Sequence, residues 1–211
     1  MGRINIEIIR KVNDIKDEIK KAREEKIDIK EIEIIECAEN NIEAYNIEFS
    51  NVLFNNCKFQ NSDFNKSSFT NVQFTNCDFS NCDFSESSFI KTKFNNCKLI
   101  GSNLTESIIF DTIIKESNFK YANLSNSKLK NTKIQDSNFE SASINQCELR
   151  QINIEDSNFQ KAQFFNTSLN KIDFRSCNID GIVVELTKLN GMIVDQYQAI
   201  ELSKLLGIII K

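Results

Sequence analysis

Cysteine and stacked acid are the side chains of this sequence whose type and spacing have chemistry to offer. Cys37, Cys57, Cys77, Cys82, Cys97, Cys147 and Cys177 are its seven cysteines, and five of them (37, 57, 77, 97 and 177) share one phase of a 20-residue period. A thiolate is a nucleophile, a zinc ligand or half of a disulfide. The chain has no histidine, so the commonest general acid–base residue and the commonest imidazole metal ligand are both missing. No C-x-x-C pair offers a zinc site. Disulfides remain the minor alternative to packing, opposed by a cytosolic setting. Ser, Ala, Thr and Val take the same place in neighbouring units, so the place selects size, and buried free cysteine is a small hydrophobe. The expectation is a protein without catalysis, cofactor or metal.

The acids recur on the same period. Glu116, Asp136 and Asp156 stand 20 residues apart, each before Ser-Asn-Phe, and Glu155 adjoins the last. Like charges stacked in this way repel unless cations or a partner offset them. The remaining charges are mixed, with 30 acids against 26 bases for a net −4. Residues 47–190 carry 16 acids and 15 bases, a net −1, so no field favours direct binding to nucleic acid.

The element that must position these residues announces itself as a comb. Of 17 phenylalanines, 15 fall on one five-residue spacing. Phe49, Phe54, Phe59, Phe64, Phe69, Phe74, Phe79, Phe84, Phe89 and Phe94 run unbroken, and Phe119, Phe139, Phe159, Phe164 and Phe174 share the comb with Leu and Ile as far as Ile179. Five is neither the helical nor the strand period, so the chain must turn a corner at every unit and point each comb residue inward. A second column, two residues earlier, holds the cysteines and their small substitutes, and two residues apart on extended chain means one face. Recurrences every 20 residues make four sides per coil. Coils then stack at the inter-strand spacing of ~4.8 Å with ladders of identical side chains. Proline, which would interrupt the pairing, is absent.

Units such as Ser62-Asp63-Phe64-Asn65-Lys66, Cys82-Asp83-Phe84-Ser85-Glu86 and Ala122-Asn123-Leu124-Ser125-Asn126 resemble the pentapeptide-repeat family over residues 42–189. The resemblance implies an all-β fold, a right-handed quadrilateral parallel β-helix, with short helices at its ends. Three segments are expected: a cap at 1–26, the β-helix at 27–190 with an irregular first coil, and a helix with a hydrophobic tail at 191–211. In the first, Ile8, Val12, Ile15, Ile19 and Ala22 are spaced as an amphipathic helix over residues 4–25, either a lid on the first coil or a short coiled coil. In the last, Asp195 is placed to cap a helix running to Leu206 and stopped at Gly207. Its apolar residues Tyr197, Ile200, Leu202, Leu205, Leu206, Ile208 and Ile210 should be buried, on the last coil or in a homodimer.

The stretch Gly191-Met192-Ile193-Val194-Asp195-Gln196-Tyr197-Gln198-Ala199, with Leu202, Leu205, Leu206, Gly207 and Ile208, resembles the C-terminal segment of the Qnr-type quinolone-resistance proteins. That resemblance implies a tail-to-tail dimer that imitates DNA and binds DNA gyrase or topoisomerase IV. The acidic corner would be the imitating surface. The alternative is a scaffolding rod with an unidentified protein partner. For it, the 20-residue phase places Ile90 and Phe110 on one side, Ile108 beside them and Ile113 past the corner, among Lys91, Lys93, Lys115, Lys128, Lys130 and Lys133. No apolar run approaches membrane-spanning length and no signal-peptide pattern opens the chain, so a soluble cytoplasmic protein is expected.

Overall fold

The computed structural model describes residues 6–209. Backbone geometry repeats every five residues. From Lys26 to Lys171 each fifth residue lies in the left-handed region, with φ between 47° and 66°. Twelve of these corner residues are asparagine and three are aspartate, the side chains that tolerate that region best. None is β-branched, and a branched Cβ would clash there. Each left-handed residue turns the chain, and four turns return it to its starting point one layer up. Phe49 thus pairs in parallel with Phe69, and Phe69 with Phe89. The result is a right-handed quadrilateral β-helix of about 7 turns.

Two sides of each coil form regular ladders. The first runs through Glu48–Ser50, Ser68–Thr70, Ser88–Ile90 and Ile108–Phe110, and the second through Leu53–Asn55, Gln73–Thr75, Lys93–Asn95 and Ile113–Lys115. Strands Lys128–Gln135 and Glu148–Glu155 each span both sides. The third and fourth sides touch through single bridges, such as Lys58 to Asp78 and Asp63 to Asp83.

The interior is solid. In one layer Phe49, Phe54, Phe59 and Phe64 meet across the corners at 5.6–6.5 Å between ring centroids. Each ring also stacks on the layer above: Phe49 on Phe69 at 5.0 Å and 1°, Phe69 on Phe89 at 4.9 Å and 5°. The stacking distance equals the inter-strand rise, so backbone pairing and ring stacking reinforce each other. The small column does more than leave room. Its hydroxyls and thiols donate to carbonyls of the previous layer: Ser87 Oγ to Phe64 O at 2.9 Å, Ser127 Oγ to Leu104 O at 2.7 Å, Cys82 Sγ to Phe59 O at 2.8 Å. Among the described residues no buried side-chain nitrogen or oxygen lacks a partner.

A helix of the chain sits at each end, and the N-terminal one closes the core. Helix α1 (Lys16–Glu25) begins much later than the apolar spacing suggests. The preceding Arg10–Val12 is a strand that pairs with Ile32–Ile34 and adds a layer beneath the second side. Ile15, Ile19 and Ala22 are buried over the open bottom of the core. That face is fully used as a lid, which leaves none for a coiled coil. The first coil, expected to be irregular, is regular in backbone: Lys26, Glu31, Glu36, Asn41 and Asn46 all take the corner conformation. Only its side chains depart from the pattern, with Ala44 in the large column and Glu39 there ion-paired to Lys16 at 2.5 Å.

At the other end, helix α2 (Gln196–Ser203) opens with a capping box, in which Asp195 Oδ1 accepts from Tyr197 N and Gln198 N at 2.8 Å. Gln198 Nε2 also donates to Phe174 O and Cys177 O at 2.8 and 2.7 Å, which ties the helix to the last coil. A 3₁₀ turn, Lys204–Leu206, and left-handed Gly207 end it.

One break interrupts the stack. Strand Glu148–Glu155 pairs with the coil below but not with residues 168–175 above, whereas the third and fourth sides stay joined through Asn158 to Asn178 and Gln163 to Val183. The backbone N–H groups of Leu149, Gln151 and Ile154 point into this slit and find no acceptor among the described residues. Thr167 Oγ1 and Ser176 Oγ pin its two ends by accepting from Cys147 N and Asp156 N, at 2.9 and 3.0 Å. The cause lies in the small column. Val72, Thr92 and Thr112 occupy it on this side in lower coils, and Ile152 and Ile172 occupy it in these two. Two isoleucines on successive layers overfill a place built for a smaller side chain. Amide hydrogen exchange should therefore be faster at Leu149, Gln151 and Ile154 than at Leu129, Asn131 and Ile134 one layer below. Ile152→Thr should slow it. Equal exchange in both layers would contradict the slit.

Candidate protein-binding surfaces

Because the comb fills the interior, every side chain available to a partner sits on a corner, on the outward positions of a side, or at an end. The corner that carries Asn56, Asn76 and Asn96 continues upward as Glu116, Asp136 and Asp156. In the lower half the amides form a ladder, Asn76 Nδ2 to Asn56 Oδ1 at 3.0 Å and Asn96 Nδ2 to Asn76 Oδ1 at 2.8 Å. Carboxylates cannot continue it, because they accept and do not donate. The three acids are nonetheless held in line by the backbone, through Glu116 N to Gln135 O at 3.1 Å and Asp136 N to Glu155 O at 3.2 Å. Lys115 pairs with Glu116 at 3.0 Å, and Asp136 and Asp156 have no ion pair among the described residues. Glu155 lies round the corner on the second side, bound by Gln135 Nε2 at 2.5 Å and Lys133 at 3.4 Å. It is therefore tied into the rod, while the corner acids face outward.

The apolar group falls on the first side. Phe110 pairs with Ile90 below and Lys130 above, and Ile108 lies between Ser88 and Lys128. Ile113 lies on the second side between Lys93 and Lys133. Ile108 is 49 % exposed; Ile90, Phe110 and Ile113 are half-buried. A shallow groove of about 320 Å³ crosses this side, lined by Ile108, Phe110, Lys128, Lys130, Glu148 and Arg150. Lys130 Nζ stands 5.4 Å from the Phe110 ring centroid.

The C-terminal residues divide. Leu202 turns onto the core, whereas Tyr197 (71 % exposed), Ile200, Leu205, Leu206 (61 %) and Ile208 face solvent. Ile210 lies outside the described residues. The cysteines, by contrast, offer nothing to a partner. All seven are buried and free. Burial pushes the Cys82 thiol up to about 12 and the Cys147 thiol up to about 11, so neither is a thiolate near neutral pH. Sequence reasoning missed the slit, although its signal, isoleucine on two successive layers of the small column, is legible once the layers are aligned.

The comparisons agree with this geometry. The family model described as a pentapeptide repeat region matches residues 47–124 and 87–159. No curated protein matches the sequence. Among solved structures, full-length QnrB1, a plasmid-mediated fluoroquinolone resistance protein, is similar with a TM-score of 0.58 and 18 % identity, over 84 % of this chain and 91 % of that one. HetL, a protein involved in heterocyst differentiation regulation from the cyanobacterium Nostoc sp. strain PCC 7120, is similar with a TM-score of 0.51 and 14 % identity, over 74 % of this chain and 87 % of that one. At identities this low the likeness is one of fold alone. The family match, which covers more than half the residues, together with the five-residue corner geometry, makes this chain a member of the pentapeptide-repeat family.

Proposed function

We propose that this protein is a protein-interaction rod that acts by binding and not by chemistry, and that its acidic corner takes the place of DNA on a type II topoisomerase, DNA gyrase or topoisomerase IV. The observation that carries this reading is the ladder of Glu116, Asp136 and Asp156 on a solid rod. The carboxylates repeat at roughly the coil rise of ~4.8 Å. DNA presents one phosphate per ~3.4 Å of axis on each strand, so a protein surface built for phosphates meets a similar line of charge. A filled core keeps that line straight without any cost of ordering at the moment of binding.

Two further features support it. Tyr197, Ile200, Leu205, Leu206 and Ile208 leave an apolar surface uncovered at the end of the rod, and a second copy would cover it about a twofold axis. Such a dimer would double the length of the rod. QnrB1, whose fold this chain shares, confers fluoroquinolone resistance, so protection of the topoisomerase from quinolones is the expected consequence. Cytoplasmic location follows from such a partner; among the described residues, no helix is long and apolar enough to cross a membrane.

The test is a gyrase supercoiling assay in the presence of a fluoroquinolone. Added protein should restore supercoiling, or inhibit it when no drug is present. The combined Glu116→Gln, Asp136→Asn and Asp156→Asn variant should need about tenfold more protein for the same effect. These positions are exposed corners, so the variant should fold, and asparagine should extend the ladder below. A wild-type protein without effect on either gyrase or topoisomerase IV would end the proposal.

A further inference from the structure

The basic and apolar side of the rod is separate from the acidic corner and is not explained by it. Lys91, Lys128 and Lys130 lie beside Ile90, Ile108 and Phe110, and none of the three makes an ion pair among the described residues. On other faces Lys66 pairs with Glu86, Lys115 with Glu116, Lys120 with Glu140 and Lys133 with Glu155, while Lys58, Lys98, Lys161 and Lys171 are unpaired among the described residues but lie apart from one another; what sets this side apart is that its unpaired lysines are grouped around apolar side chains. The charged lining of the groove is Lys128, Lys130 and Arg150 against Glu148, a local positive balance on a chain whose net charge is −4. The groove floor is aliphatic and aromatic where other outward positions of the first side carry Ser and Thr, as at Ser68, Thr70 and Ser88.

We propose that this groove binds an acidic segment of a partner protein, one that seats an aromatic or aliphatic side chain against Ile108 and Phe110 while its carboxylates meet Lys91, Lys128 and Lys130. Charge complementarity selects the acidic partner. The apolar floor selects a protein segment over a nucleic acid. A stacking platform needs ring faces open to bases, and here the one ring, Phe110, is half-buried and has Lys130 beside it. The groove holds about 320 Å³, enough for one large side chain and its neighbours. Arg150, paired with Glu148 at 2.6 Å, lines the upper end of the groove.

The probe is a dye-labelled dodecapeptide in which Phe and Leu alternate with pairs of Asp and Glu, titrated with the full-length protein and followed by fluorescence anisotropy. Two variants are measured in parallel, Ile108→Ser and the double change Lys128→Glu with Lys130→Glu. All three residues are exposed, so folding should be intact, and circular dichroism checks it. The proposal expects saturable binding that weakens about tenfold in each variant and falls with added salt. It also expects an oligodeoxynucleotide of equal length not to compete. Absence of saturable binding, wild-type affinity in either variant, or preference for the oligonucleotide would each overturn it. None of these outcomes bears on the topoisomerase assay, because the acidic corner is untouched.

Discussion

Everything in this molecule depends on one backbone constraint, a left-handed residue at every fifth position from Lys26 to Lys171. For a residue with a side chain that conformation costs about 1–2 kcal/mol. The fold offsets this by making each corner useful. It reverses the direction of the side chains, points the next comb residue inward, and returns the backbone to register with the layer above. Asparagine adds a further gain, since its amide links successive corners, as in Asn56, Asn76 and Asn96. Once the corner is set, the 20-residue layer, the stacked phenylalanines and the parallel ladders are consequences.

The same constraint separates stability from function. Two of every five side chains, one large and one small, are committed to the interior, and the cysteines belong to that set. All seven are buried, and the thiols of Cys57, Cys77, Cys82, Cys97 and Cys147 donate to carbonyls, which makes them packing equivalents of Ser87 and Ser127. The three outward positions are free of packing demands. They are where the chain departs from its own average: three acids in place of asparagines on one corner, and Ile108 and Phe110 in place of serine and threonine on one side. In a fold with so repetitive a background, such departures are the informative residues.

Much of this was legible in the sequence. The comb gave inward positions for residues as far apart as Phe49 and Phe174, and all fifteen comb phenylalanines are buried. The stacking of Ile90 under Phe110 follows from the 20-residue phase alone. What was not legible depended on interactions between layers or on single residues overriding a pattern. The apolar spacing of residues 8–22 is helical throughout, yet Arg10–Val12 is a strand because the open edge of Ile32–Ile34 offers it hydrogen bonds. Glu39 breaks the large column of the first coil, but the corner residues around it keep the backbone regular, and Lys16 pairs with the charge. Size alone explained the small column, and the donation by its hydroxyls and thiols needed carbonyls placed by the layer below. The slit required knowing that Ile152 and Ile172 are vertical neighbours.

The corner can be tested directly at Asn76, whose φ is 55° and whose amide sits in the middle of a ladder. Chemical denaturation of Asn76→Gly and Asn76→Val separates the backbone from the side chain, since both lose the amide and only valine is unable to hold the left-handed conformation without strain. If the corner governs the fold, the valine variant is less stable than the glycine variant by about 1–3 kcal/mol. Equal stability of the two would mean that the left-handed turn is not what the rod depends on.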